Sequence, residues 1–128
     1  MTEPAFLLDT NICIYILRDA EGPAAARLAT CAHGAAAAST VTLAEILRGL
    51  PHDEVVALQA IEVLFDAVKL LPFDEPAARA YLRVPFKRGT FDRLIAAQAL
   101  AHDLVLVTNN ERDFTDVPGL RLENWTKS

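Results

Sequence analysis

Ala5-Phe6-Leu7-Leu8-Asp9-Thr10-Asn11 is the stretch whose reading decides the fold. Its four apolar residues are too few for a helix of ordinary length and read as a short buried strand. A carboxylate stands where the run stops. Two small polar residues follow, and then Ile12, Ile14, Tyr15, Ile16 and Leu17 form a helix apolar around most of its circumference, ending near Arg18-Asp19. Such a helix is buried against a sheet or against a partner subunit. In an open parallel α/β sheet, ligands bind at the carboxyl ends of the strands. Asp9 is therefore expected at that edge.

Outward from this stretch the chain keeps the alternation. Glu21-Gly22-Pro23 restarts it, Pro suiting a first helical turn. Residues 24–32 are alanine-rich and helical by propensity, closed at His33-Gly34 with Gly34 as the C-terminal cap. Residues 35–38, between a glycine stop and a polar start, read as a small-residue strand in a crowded sheet centre. Ser39-Thr40-Val41-Thr42 leads into the helix Leu43-Ala44-Glu45-Ile46-Leu47-Arg48, which Gly49 ends and Pro51 keeps from extending. His52-Asp53 opens a longer helix to about Val68, with Val55, Val56, Leu58, Ile61, Leu64 and Phe65 at helical spacing. Lys69-Leu70-Leu71 is a short strand, and Asp74-Glu75-Pro76 starts a helix continuing to Arg83. Val84-Pro85-Phe86-Lys87-Arg88-Gly89 reads as a loop, after which Thr90 caps a helix to about His102. Leu104-Val105-Leu106-Val107 is the clearest strand, with Thr108-Asn109-Asn110 at its end. Pro118-Gly119 is a turn, and residues 120–125 a short extended tail. The pattern predicts one α/β domain over residues 1–128, a central parallel sheet of four to five strands flanked by helices on both faces.

Composition narrows the function classes. The 128 residues suit one domain, and 52% hydrophobic content supplies a core. No apolar run approaches the roughly 18 residues of a membrane helix, and the N-terminus lacks the charged and apolar regions of a signal peptide, so a soluble cytoplasmic protein is expected. Cys13 and Cys31 are isolated in helical patterns and read as ordinary buried thiols rather than a disulfide framework. A net charge of −5 argues against coating nucleic acid through bulk positive charge. The distribution is uneven, however. From Pro76 to Phe91 there is no acidic residue, while Arg79, Arg83, Lys87 and Arg88 fall there and Arg93 follows. A basic strip on an acidic protein is compatible with a polyanion touching one face.

Asp9 and Asn110 come directly after apolar strands, and Glu45 and Asp92 come in the first turns of helices. In a doubly wound sheet these positions share one rim, so three carboxylates converge there. Each has a simpler alternative. Asp9 suits a helix N-cap, Thr42-x-x-Glu45 is a capping box, Asp92 favours a helix dipole, and the basic residues suit a solvated face. His33, His52 and His102 sit at helix boundaries and carry no assigned chemistry. The joint placement of the acids carries the functional reading. Clustered carboxylates repel one another, and a hard divalent cation such as Mg²⁺, with oxygen ligands and retained waters, resolves the conflict. Metal-activated water attacking a phosphodiester is the chemistry such a site supports. No His/Cys spacing points to zinc, and no Ser-His or Cys-His pair to covalent hydrolysis.

Four blocks, in order and at ordinary spacings, carry a family resemblance: Leu8-Asp9-Thr10-Asn11; Thr42-Leu43-Ala44-Glu45 with Gly49; Phe91-Asp92-Arg93-Leu94-Ile95-Ala96-Ala97; and Val107-Thr108-Asn109-Asn110 with Arg112-Asp113-Phe114. The chain resembles the PIN domain, and more narrowly the VapC-type toxins of bacterial toxin–antitoxin pairs, from about Phe6 to Trp125. The ending, from Val117-Pro118-Gly119 to Asn124-Trp125, fits that subgroup. The resemblance implies a Mg²⁺- or Mn²⁺-dependent endoribonuclease. Asp9 and Asp92 would be the principal metal ligands, and Glu45 would bind metal through water or orient the attacking water. Thr10, Asn11 and Thr108 would support the site by hydrogen bonds. Many relatives carry a fourth acid where this chain has Asn110, and Asp113 is the carboxylate three residues on. Arg79, Arg83, Lys87, Arg88 and Arg93 would contact RNA phosphates. The resemblance further implies a homodimer, a cognate VapB antitoxin, operator DNA met only through that antitoxin, and transfer RNA as the leading substrate. The Ile12–Leu17 helix and the Val55–Phe65 helix are candidate surfaces for those protein contacts.

Two other classes compete. A phosphoryl-accepting domain would use Asp9 as nucleophile, but position 11 is Asn where the phosphatase pattern wants Asp, and no receiver-type lysine follows Leu106-Val107-Thr108. A catalytically silent module would keep the fold and bind RNA or protein only, a reading that Asn110 permits and that Asp9, Glu45 and Asp92 together oppose.

Overall fold

A computed structural model describes residues 2–50, 54–88 and 91–127. Five strands, β1 (Phe6–Leu8), β2 (Ala36–Ser39), β3 (Lys69–Leu71), β4 (Val105–Val107) and β5 (Leu122–Glu123), form one sheet in the order β3-β2-β1-β4-β5. All four pairings are parallel. Between the strands run α1 (Thr10–Arg18), α2 (Pro23–Ala29), α3 (Thr40–Arg48), α4 (Val55–Ala67), α5 (Glu75–Ala80) and α6 (Asp92–Ala101), with 3₁₀ turns at Tyr81–Arg83 and Glu111–Phe114.

The period-2 alternation of β1 divides the core. Leu8 faces one side with Ala36, Ala38 and Val107, packing on Ile12, Ile46, Ile61 and Leu64 of α1, α3 and α4. Leu7 faces the other with Ala37 and Leu106, packing on Ile95, Ala96 and Ala99 of α6 and on Phe114. Leu7, Leu8 and Leu106 are fully buried, each contributing about 1.5–3 kcal/mol. The alanines of β2 are buried on both faces, as a short strand under helices requires. Ala97 turns the outer side of α6 toward Ala80 of α5, Val84 and Val117.

Register is what places the rim. Leu8 lies between Ala38 and Val107, so the next residue of each strand, Asp9, Ser39 and Thr108, ends on one level. The Asp9 amide donates to the Val107 carbonyl at 2.9 Å and the Thr108 amide to that of Glu123 at 2.9 Å. At the C-terminal end the expected extended tail becomes β5. Trp125 meets Phe6 edge-on at 5.3 Å, and the Arg27 guanidinium lies over both rings while pairing with Glu123 at 3.2 Å.

Two local expectations need correction. The second helix stops at Ala29 with Thr30 as its cap, and Gly34 lies beyond it in the turn into β2 with φ +90°. A side chain at position 34 would also meet the Thr2 carbonyl at 3.0 Å. Second, α3 begins at Thr40, capped by Ser39, whose Oγ accepts the Val41 amide at 3.0 Å. Thr42 is inside the helix, so Thr42-x-x-Glu45 is not its capping box. The roles read for Pro51, His52, Asp53, Gly89 and Thr90 lie outside the described residues. Cys13 and Cys31 are free, the first buried and the second half-buried. No helix among the described residues is long and apolar enough to cross a membrane.

Candidate active site

Asp9 performs two jobs at once. It is the N-cap of α1, its Oδ1 accepting the Ile12 amide at 2.9 Å. It is also a buried carboxylate, 2% exposed, at the carboxyl edge of the central strand. Burial, aided by the negative charges of Asp92 and Glu45, raises its pKa from 3.8 to about 6, against the lowering effect of hydrogen bonds from Thr108 and the Ile12 amide. Thr108 is itself oriented, since its Oγ1 accepts the Asn110 amide at 3.1 Å. The cap reading and the site reading of Asp9 are therefore compatible. The cap is how the fold aims the group.

Glu45 is held by tertiary structure. Thr10 Oγ1 lies 2.7 Å from Glu45 Oε1 and 3.1 Å from Thr42 Oγ1. A hydroxyl has one proton and a carboxylate only accepts, so Thr10 donates to Glu45 and accepts from Thr42. This chain draws Glu45 away from its own backbone toward the rim. Thr42, read as a cap, is a buried link in that chain instead. Asn11 stands exposed on the first turn of α1.

Asp92 is the first residue of α6, and its charge reaches Asp9. Asn110 is exposed and donates its Nδ2 to Asp113 Oδ2 at 2.6 Å. Asn110 thus engages the very carboxylate expected to supply a fourth acid. The turn bearing Asp113 is fixed by Arg93, whose Nη2 donates to the Asp113 carbonyl at 2.6 Å and pairs with Asp116 at 3.0 Å. Arg93 beside Asp116 also holds that carboxyl below the usual range. Arg93 is 1% exposed, over the Phe114 ring at 5.9 Å. It cannot be a surface phosphate contact, which corrects the sequence reading. The missed signal is helical spacing: Arg93, Ala96, Ala97 and Leu100 fall on one apolar face.

The remainder of the basic strip is exposed. Arg79 pairs with Glu75 at 2.7 Å one turn away. Arg83 and Arg88 have no ion-pair partner among the described residues, and Lys87 lies near enough to Asp116 to help lower its pKa. Leu82, Phe86 and Phe91 stand exposed among them. The sequence reading did not single out these apolar side chains.

Chemically, the rim brings the Asp9, Glu45 and Asp92 charges close enough to act on one another. No ion pair joins Asp9 or Glu45 to a basic side chain among the described residues. Nor do three or more His, Cys, Asp or Glu among them form a group that would hold a metal ion alone. A donor set of one or two carboxylates suits a hard ion that retains water, and does not suit zinc.

Residues 6–120 match the family described as the PIN domain. The tRNA(fMet)-specific endonuclease VapC of Shigella flexneri is 34% identical over 94% of this chain and 98% of its own length. Two solved structures superpose with a TM-score of 0.84. One is VapBC2 from Rickettsia felis bound to a DNA fragment from its promoter, at 27% identity over 94% of this chain and 98% of that one. The other is DNA-bound VapBC from Salmonella typhimurium, at 28% identity over 95% and 98%.

Proposed function

The chain belongs to the PIN-domain family, among its VapC ribonucleases, and on that premise we propose that it is the toxin of a VapBC pair, a Mg²⁺-dependent endoribonuclease acting on structured RNA. The observation that carries this reading is the buried Asp9 carboxylate, its pKa raised by burial and by the charges of Asp92 and Glu45. Ionised carboxylates held this close cost folding free energy, and a cation bound at the rim would offset that cost.

Asp9 and Asp92 would hold the ion, Mn²⁺ serving in place of Mg²⁺. Bound there, it supplies Lewis acidity and lowers the pKa of a water. The chain's own residues do the rest. Glu45, oriented by the Thr10 hydroxyl, accepts the proton of the water attacking the phosphodiester. Thr108 holds Asp9 in place, and Asn110 holds the Asp113 carboxylate, which would supply the further acid. Arg83, Lys87 and Arg88, with Arg79 once released from Glu75, contact the phosphate backbone and make binding salt-sensitive. Transfer RNA is the substrate class that the Shigella relative's name supports, and cleavage there would arrest translation.

The partner is a VapB-type antitoxin, as in the structural relatives, and operator DNA is met through it. An apolar groove of about 300 Å³ between α1, α3 and α4, lined by Ile14, Leu17, Ile46, Leu50 and Ile61, runs to Glu45. An antitoxin helix laid in it would deliver a peptide to the acid cluster. Exposed Val55, Val56 and Val63 on α4 extend that apolar surface, and a homodimer would cover further apolar area.

Purified Asp9→Asn and Asp92→Asn proteins should fold and fail to cleave RNA with Mg²⁺, read by mapping cleavage ends in total RNA. Undiminished cleavage by both would overturn the site.

A further inference from the structure

A second cleft, of about 320 Å³, opens on the other flank of α1, between that helix, the start of α2 and the end of β4. We propose that this cleft is a nucleotide subsite, receiving one unstacked base of the RNA beside the scissile phosphate. Tyr15 would be its stacking face, Asn109 the reader of the base edge, and Arg18 the contact to the adjoining phosphate. The proposal rests on the ribonuclease reading above and deepens it.

Position is the first argument. Tyr15 stands one helical turn beyond Asn11, about 5–6 Å along the same face, and Asn109 adjoins Asn110, whose side chain holds Asp113. Both walls of the cleft thus continue, along the chain, from residues beside Asp9 and Thr108. An RNA strand crossing the rim along α1 would bring a neighbouring nucleotide to the cleft. The volume lies at the lower end of the range for small-ligand sites, a size for one nucleotide.

The chemistry of the lining is the second. Asn109 Nδ2 donates to the Tyr15 hydroxyl at 3.1 Å across 94 residues of chain, while Asn109 Oδ1 is buried with no hydrogen-bond partner. Turning the amide over only exchanges which atom is left unpaired. A buried orphan of this kind is costly, and a base edge offering a donor and an acceptor, as adenine does to an amide, would satisfy it once Tyr15 gives way and the amide turns into the cleft. Tyr15 is 40% exposed, which leaves part of the side chain open to a ligand. Arg18 lines the cleft and has no ion-pair or hydrogen-bond partner among the described residues. Asp19, also in the lining, is turned into its own loop, where Oδ1 accepts the Glu21 amide at 3.2 Å. Gly22 makes room for it, since a Cβ there would meet Asp19 Oδ2 at 2.7 Å. The neighbouring acid is thereby engaged with its own loop, while Arg18 borders both this cleft and the groove on the opposite flank of α1. An exposed ring and a half-paired amide, with an unpaired guanidinium at the border, suit a nucleotide better than the apolar helix that fits the opposite groove.

The test uses full-length wild type, Tyr15→Phe, Tyr15→Leu and Arg18→Gln, with cleavage ends sequenced from a randomised single-stranded RNA pool in Mg²⁺. Tyr15→Leu should lower kcat/KM about tenfold, the scale of one lost base stack, and flatten the nucleotide preference at one position beside the cut. Tyr15→Phe, which keeps the ring, should retain that preference. Arg18→Gln should raise KM with kcat little changed. Independently, titrating AMP and CMP into the wild type should shift the NMR signals of the Tyr15 ring and the Asn109 amide. A wild type that cuts no RNA but shows those shifts refutes the ribonuclease reading and leaves the subsite standing. Unchanged preference in Tyr15→Leu overturns the subsite, and does so equally if that variant has lost only antitoxin binding. Should Tyr15→Leu not fold, absence of nucleotide shifts in the wild type overturns it.

Discussion

Thr10 donates its hydroxyl proton to Glu45 across 2.7 Å, joining the first residue of α1 to the middle of α3. The pair links the helix that leaves the central strand with the helix that leaves its neighbour, and so fixes a carboxylate relative to Asp9. Glu45→Gln tests what that carboxylate does. Gln still accepts from Thr10, so the melting temperature should hold within about 2 °C. Proton acceptance is lost, and kcat for RNA cleavage should fall by about 10²-fold or more. Full activity in this variant would reduce Glu45 to a structural anchor.

The pH dependence of the metal-free protein follows from Asp9. Its folded pKa is about 6 against 3.8 for a free carboxyl. The native state therefore holds this proton more tightly than the unfolded chain, and the associated stability is present below about pH 4 and lost as pH rises to about 6. The gap between the two values corresponds to about 3 kcal/mol. Asp9→Asn keeps a cap acceptor for the Ile12 amide and removes the charge. In EDTA it should melt higher than the wild type at pH 7.5 and alike at pH 4. Added Mg²⁺ should raise the wild-type melting temperature at pH 7.5 and leave the variant unmoved. A variant that responds to Mg²⁺ as the wild type does would remove Asp9 from the metal site.

Much of this was legible along the chain, for physical reasons. Phe6-Leu7-Leu8 is too short an apolar run for an ordinary helix and reads as a buried strand, a parallel sheet puts the residue after it on the ligand edge, and Asp9 is that residue. The acids and their order were readable because strand ends and helix starts are local events. What was not readable depended on competition between local options. Thr42 and Glu45 have the spacing of a capping box, yet Ser39 takes the cap because the pairing of Ser39 with Leu71 ends β2 there. That choice is made by the sheet. Arg93 looks like the fifth member of a basic strip until α6 is known to be covered on two sides. The Tyr15–Asn109 bond spans nearly the whole chain, and no local pattern announces it.

Arg93 and the exposed arginines should separate cleanly. Arg93→Lys cannot serve both the Asp113 carbonyl and Asp116, and should cost about 2 kcal/mol or more of stability, read by urea unfolding. Its RNA affinity should keep the wild-type salt dependence. Arg83→Gln and Arg88→Gln should leave stability within about 0.5 kcal/mol. Each should lower the slope of log K against log salt by about 1, uniformly across RNA sequences. A stable Arg93→Lys with a reduced salt slope would return Arg93 to the RNA surface.

Asn110 decides how charged the far side of the rim is. Its amide donates to Asp113 at 2.6 Å, so Asn110→Asp would replace a donor with a second acceptor and set two carboxylates at hydrogen-bonding distance. Like charges that close cannot both ionise without cost. The metal-free variant should lose about 1–2 kcal/mol, and the loss should shrink below pH 5, where the pair shares a proton. If Asn110 and Asp113 face the same ion as Asp9 and Asp92, Mg²⁺ should restore the variant's stability and half-saturate it at a lower concentration than the wild type. Thermal melting across a Mg²⁺ series reads both effects. An unchanged half-saturation would mean that the Asn110–Asp113 pair stands apart from the metal and serves only to shape the turn that Arg93 anchors.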